Sequence, residues 1–190
     1  MTLRLITAPA AEPITLAEIK LQCRIDSSDE DPLLAIIISA ARSKCEGLLS
    51  RALITQTWEQ VIDSFPDGRL ELGQPPVQSI TSVTYVDTAS VTQTMDPAGY
   101  TLDNINAPGW ALPVSTWPST ADVSNAVRVR FVAGYGASGA SVPADIRAWL
   151  LLTAAYLYSQ REAIDATGKA ADIPSRFVDS LLDPYRLYGF

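Results

Sequence analysis

Val127-Arg128-Val129-Arg130-Phe131, the glycine pair in Ala133-Gly134-Tyr135-Gly136, and the run from Val142-Pro143 to Tyr158 decide how this chain folds. Apolar and charged residues alternate from Val127 to Phe131 with the period of a strand that has one buried and one wet face. Gly134 and Gly136 then free the backbone for positive φ angles, as a hinge requires. Pro143 suits a helix start, where its missing amide has no partner to lose, and Asp145 suits the positive end of the helix dipole. The helix that follows is apolar nearly all round, through Ile146, Trp149-Leu150-Leu151-Leu152 and Ala154-Ala155-Tyr156-Leu157-Tyr158. An amphipathic helix needs an apolar stripe only about 100° wide, so this one must be covered on several sides. Neighbouring subunits are one source of that cover.

Two helices are expected upstream. Thr15-Leu16-Ala17-Glu18 is a capping box, in which threonine and glutamate each satisfy an orphan amide, so a short helix runs from Thr15 to about Cys23. The acidic run Asp26-Ser27-Ser28-Asp29-Glu30-Asp31-Pro32 supplies cap, dipole partners and proline for a second, from about Pro32 to Ser50. Its stripe is Leu34, Ile37, Ile38, Ala41, Cys45 and Leu48, widened by Leu33, Ile36 and Ala40. The same acids lack the alternating ligands and central glycine of a calcium loop, so capping explains them better than metal binding.

From Ile54 the pattern changes to β. Strands are expected at 57–63, 69–72 and 79–87, with a weaker one around Tyr100-Thr101-Leu102 and the strong one at Val127-Phe131. Residues 103–125 hold Pro108, Gly109, Trp110, Pro113, Trp117 and Pro118 and read as a long irregular loop. Ala166-Thr167-Gly168-Lys169-Ala170-Ala171 reads as a linker, followed by a helix from about Pro174 to Leu182 and an aromatic terminus. The expected fold class is therefore α+β, mainly a helical bundle with an inserted small antiparallel β lobe. Residues 1–53 hold the N-terminal helices, 54–133 the β insert, 134–165 the hinge and long helix, and 166–190 a linker and docking segment. Gly134, Gly136 and Pro143 form the hinge.

Charge and composition exclude several functions. The 190 residues carry a net charge of −7 and no histidine. Ser-His and Cys-His nucleophile pairs and the commonest zinc ligand are thus missing, and no catalytic, cofactor or metal residues are expected. Gly134-Tyr-Gly136-Ala-Ser-Gly139 matches a dinucleotide-binding pattern, but the helix starts several residues too late to hold a pyrophosphate. Residues 1–123 hold 7 basic and 15 acidic side chains, against 7 and 6 for 124–190. This surplus opposes tight wrapping of nucleic acid, though not the lining of a channel through which DNA slides. No apolar run reaches the roughly 18 residues that span a bilayer. The first residues lack the features of a leader, and Cys23 and Cys45 read as reduced, buried thiols, so an intracellular product is expected.

Several stretches, taken in order, resemble the phage head-tail connector family, in particular the gp6-like and phiE125 gp8-like proteins of tailed phages and prophages. They are Pro13-Ile-Thr-Leu-Ala-Glu18, the Asp-rich start of the second helix, Arg51-Ala-Leu-Ile-Thr-Gln-Thr-Trp58, Pro75-Pro-Val-Gln-Ser-Ile-Thr-Ser-Val-Thr-Tyr-Val-Asp87, Val132-Ala-Gly-Tyr-Gly136 and Val142-Pro143. The resemblance implies a structural protein of the virion neck, assembled in the host cytoplasm. Copies form a cyclic ring, typically a dodecamer, beneath the portal protein, extend the DNA channel without reading DNA sequence, and support the next neck or tail-completion protein. Ring contacts are expected at Ile36, Ile37, Arg128, Arg130, Trp149, Leu152 and Tyr156. Portal docking is expected at Phe177, Leu181, Tyr185, Leu187, Tyr188 and Phe190. The alternative is a β-lobed carbohydrate- or protein-binding module of a phage tail, with Trp110 and Trp117 as its platform.

Overall fold

The computed structural model describes residues 1–160 and 178–187. The chain divides into a β unit, Met1–Ala10 with Ser50–Ala137, and a helical unit, Ala11–Leu49 with Ser138–Phe190.

The β unit holds eight strands: β1 Thr2–Thr7, β2 Gln56–Ile62, β3 Leu70–Leu72, β4 Val77–Val86, β5 Thr92–Thr94, β6 Tyr100–Asp103, β7 Gly109–Pro113 and β8 Val127–Ala133. Five form one antiparallel sheet in the order β1-β2-β8-β4-β5, and three form a second in the order β3-β7-β6. β8 lies at the centre of the larger sheet, and its alternation is the reason: Val127, Val129, Phe131 and Ala133 are buried while Arg128 and Arg130 are exposed. Leu70 and Leu72 of β3 and Ala111 of β7 join Val83 and the β8 residues in one core shared by both sheets. Each such side chain contributes about 1.5–3 kcal/mol by leaving water. Two amide side chains of β2, Gln56 and Gln60, are buried in this unit. Gln60 is fully buried, and its Nε2 donates to Glu71 O at 2.6 Å while its Oε1 accepts from Gly73 N at 3.1 Å, tying β2 of the larger sheet to β3 of the smaller one.

The helical unit holds α1 Leu16–Cys23, α2 Asp31–Leu49 and α3 Ala144–Ser159. The capping box forms as its residues require: Glu18 N donates to Thr15 Oγ1 at 3.2 Å, and Thr15 N donates to Glu18 Oε2 at 2.7 Å. α2 buries Leu34, Ile37, Ile38, Ala41, Cys45 and Leu49, the drift of a 3.6-residue period carrying the stripe to Leu49 and leaving Leu48 exposed. α3 touches α1, α2 and the 3-10 segment Ser180–Tyr185, which together bury Ile146, Trp149, Leu150, Thr153 and Ala154. Among the described residues no helix is long and apolar enough to cross a membrane.

The expectation of a mainly helical bundle with a small β lobe is overturned: the chain is mixed, with two antiparallel sheets of eight strands beside its helices. The strands missed are short or lie at sheet edges. β1 pairs with β2 some fifty residues away, with a bulge between Leu5 and Thr7, and β7 lies between Pro108 and its own last residue Pro113, punctuation that reads as loop. Short strands paired with distant parts of the chain leave only weak local traces in sequence.

Candidate assembly surfaces

Four surfaces hold the expected functional residues. The first is the glycine segment. Gly134 has φ +128°, and a Cβ there would lie 2.5 Å from the backbone C and O of Ile54 and 2.6 Å from Thr55 N. The close approach is held by Tyr135 N donating to Leu53 O at 3.1 Å and Thr55 N donating to Gly136 O at 2.9 Å. The glycine segment thus locks β8 to the entry of β2. Pro143 is the N-cap residue of α3, which begins at Ala144.

The second is the outward face of the five-stranded sheet. The register places Arg4 opposite Glu59, Glu59 opposite Arg130, and Arg130 opposite Ser82, with Arg128 opposite Thr84. Arg130 Nη2 lies 3.0 Å from Glu59 Oε2, and Arg4 Nη1 lies 3.7 Å from Glu59 Oε1. Glu59 is only 7% exposed, so it belongs to this surface as a clamp between two arginines. A cavity of about 410 Å³ opens here, lined by both β8 arginines together with Glu59, Thr84, Thr92 and Asn125. Sequence reading found Arg128 and Arg130 by their alternation and missed Glu59, because only the β2–β8 register brings it to them.

The third is the outer surface of the helical unit. Ile36 is 68% exposed on α2 and Leu152 is exposed on α3, while Tyr156 is half-buried. Ile37 and Trp149 are covered by their own chain, Trp149 to 1% exposure, and present almost no surface to a neighbour. Trp149 Nε1 donates to Asp179 Oδ1 at 2.9 Å. Arg147 pairs with Glu18, whose carboxyl is held below its usual range, chiefly by the Thr15 backbone amide and further by the guanidinium. Lys20 Nζ lies 2.6 Å from Asp31 Oδ1, and Tyr158 hydrogen-bonds Glu30, so two members of the acidic run serve within the unit.

The fourth is the C-terminal segment. Leu182 is fully buried where the 3-10 turn packs on α3, Leu181 and Leu187 are half-buried, and Tyr185 Oη lies 3.3 Å from Asp145 Oδ2. Phe177, Tyr188 and Phe190 lie outside the described residues. Asp179 was not foreseen, and nothing in its sequence neighbourhood marks it as the partner of Trp149.

The two tryptophans of the β unit are engaged internally. Trp117 stacks on Phe65 at 4.6 Å and donates to Gly68 O, and the Arg69 guanidinium lies 4.0 Å above the Trp110 ring. Each has a face occupied by its own chain, which disfavours a paired platform for a sugar.

The model of the phage gp6-like head-tail connector protein family matches residues 13–101. Over that stretch, a little under half of its length, the chain is similar to the gp6-like connectors. That match runs from the loop before α1 to the second residue of β6, and so takes in α1, α2 and Glu59. No curated protein sequence matches. Among solved structures, a chain in the neck of an empty gene transfer agent (GTA) particle, computed with C6 symmetry, is 26% identical. The likeness has a TM-score of 0.83 and covers 100% of this chain and 97% of that one. Chains from the virion of a native GTA particle (24% identity, TM-score 0.82) and from a native GTA neck computed with C12 symmetry (24%, 0.78) share the fold, with the same coverage of 100% and 97%. The structural likeness thus covers the whole chain, beyond the stretch that the family model matches.

Proposed function

We propose that this chain is a structural head-tail connector, or adaptor, of a tailed phage, prophage or related particle. Copies form a cyclic ring beneath the portal, extend the DNA channel, and support attachment of the next neck or tail component. The observation that carries this reading is the likeness over the full chain to a protein of a particle neck, together with the connector family match. The protein resides in the virion neck after assembly in the host cytoplasm. Its net charge of −7 suits a conduit from which DNA must release. A head-to-tail interface closes such a ring. We assign its contacts to Ile36, Leu152 and Tyr156 on the helical unit and to Arg128 and Arg130 on the β unit, with Ile37 and Trp149 shaping the helical surface from beneath. We assign portal docking to the C-terminal segment, through Leu181, Tyr185 and Leu187 and with Phe177, Tyr188 and Phe190 as further anchors.

The test is to mix the purified chain with assembled rings of the portal protein encoded beside it and to examine the product by sedimentation and electron microscopy. A second ring stacked on the portal is expected. Failure to stack across a range of salt concentrations overturns the reading. Unchanged stacking after deletion of residues 174–190 would reject the docking role of the terminal segment alone.

A further inference from the structure

The arginine face of the β unit carries one more step, which rests on the ring reading. Three guanidinium groups, from Arg4, Arg128 and Arg130, share this face with the carboxylate of Glu59. Glu59 is engaged by Arg4 and Arg130. Among the described residues Arg128 has no ion-pair partner, although it lines the 410 Å³ cavity beside the hydroxyls of Thr84 and Thr92 and the amide of Asn125. The face therefore has a positive surplus and spare hydrogen-bond donors, in a chain whose overall charge is −7.

The matching surplus of acid lies in the loop between α1 and α2. Of its three carboxylates and that of Asp31 at the start of α2, Asp31 is paired with Lys20 and Glu30 accepts from Tyr158. Asp26 and Asp29 are exposed and, among the described residues, have no ion-pair partner. They stand three residues apart, so one loop can present both to a single surface. Arg24, at the start of the same loop, offsets only part of this charge.

We propose that the arginine face receives the Asp26–Asp29 loop of a second copy of this chain, the carboxylates entering the cavity beside Arg128 and Arg130. Copies carrying a net −7 repel one another when brought side by side, and a basic face meeting an acidic loop reverses that repulsion at the point of contact. The two patches are different surfaces, as a heterologous contact that closes a ring demands. Each exposed pair contributes a modest factor, but the contact repeats at every junction of the ring. Nucleic acid is the poorer occupant, because three arginines, two of them already engaged by Glu59, neutralise too few phosphates to hold a duplex, whereas the loop brings only two carboxylates.

The experiment uses the full chain and counts copies bound to portal rings by mass photometry as protein concentration is raised. Arg128→Glu, a substitution at an exposed side chain, and the pair Asp26→Lys with Asp29→Lys are each expected to raise the half-saturating concentration about tenfold or more, with an unchanged urea midpoint. Combining Arg128→Glu with the two lysines is expected to recover most of that loss, the sign of a direct contact. Raising the salt should weaken the wild type more than Arg128→Glu. If wild type stacks on the portal and Arg128→Glu stacks equally well, or if the combined variant is as weak as the two sets acting independently, this contact is wrong while the connector reading stands. If wild type does not stack at all, both fall. Salt-dependent binding of wild type to duplex DNA that is lost in Arg128→Glu would also overturn the proposal, by assigning the face to phosphate.

Discussion

Replacing Gly134 by alanine tests how the strand that centres the large sheet is anchored. At φ +128° an L side chain enters a region that costs about 1–3 kcal/mol for any residue but glycine. The new Cβ would then sit 2.5 Å from the carbonyl carbon and oxygen of Ile54 and 2.6 Å from Thr55 N. These are backbone atoms, so no rotamer change relieves the clash and the strand entry itself must move. That movement strains four hydrogen bonds: Tyr135 N to Leu53 O (3.1 Å), Thr55 N to Gly136 O (2.9 Å), Gly134 N to Pro76 O (2.9 Å) and Gln78 Nε2 to Gly134 O (2.7 Å). At about 1 kcal/mol net for each bond and with partial relaxation, the total loss is about 3–5 kcal/mol. That is a large part of the roughly 5–15 kcal/mol by which a domain is stable.

The assay is urea unfolding followed by tryptophan fluorescence, with hydrogen exchange of the β8 amides as the local readout. Gly47→Ala is the control of opposite sign. Gly47 lies within α2, and a Cβ there meets nothing within 4 Å, so alanine should stabilise the helical unit by about 0.5–1 kcal/mol. A loss below about 1 kcal/mol for Gly134→Ala, the size of an average substitution, would refute the anchoring argument, as would the reverse ranking of the two variants.

Gln60→Leu fills the core but leaves Glu71 O and Gly73 N without their partner, and should cost about 3 kcal/mol in a denaturant titration; a neutral result would show that the two sheets do not depend on this clamp. Glu18→Gln probes linkage. Because the Thr15 amide and Arg147 lower the folded-state pKa, the stabilisation is present at neutral pH and disappears as pH falls through that lowered value. Wild type should therefore exceed the variant by about 0.5–1 kcal/mol at pH 7 and converge with it in acid, and a pH-independent gap would contradict the assignment. Burial, with Glu46 nearby, pushes the Cys45 thiol up to about 12, so a disulfide reagent at pH 8 should titrate Cys45 only after unfolding, with half-buried Cys23 reacting first; two equally fast thiols in the native protein would be the contrary result.

Local chemistry was readable in the sequence where one short stretch contains its own reason. The Thr15–Glu18 box, the start of α3 after Pro143 and the inside-outside alternation of β8 depend on neighbours within four residues, and each forms as its residues require. β1 and β5 were not readable, because a strand at a sheet edge is stabilised by a partner supplied from elsewhere in the chain, and β7, central in the smaller sheet, is five residues long and bracketed by prolines. The same limit governs the candidate surface. Exposure of Arg128 and Arg130 follows from period, whereas the recruitment of Glu59 follows from register, which neither strand encodes alone.

The long helix shows why excess apolar surface is a poor guide to which contact is intermolecular. Trp149, Leu150 and Ile146 demand cover, and a period-3.6 pattern cannot say whose atoms provide it. Here α1, α2 and the Ser180–Tyr185 turn provide it from within the chain, and Trp149 and Ile37 are left with almost no exposed surface. What that internal packing leaves exposed is Ile36 and Leu152, both apolar, and charged groups such as Arg128 that have no ion-pair partner among the described residues. An interface made from a few apolar anchors beside complementary charge gains specificity from the charge.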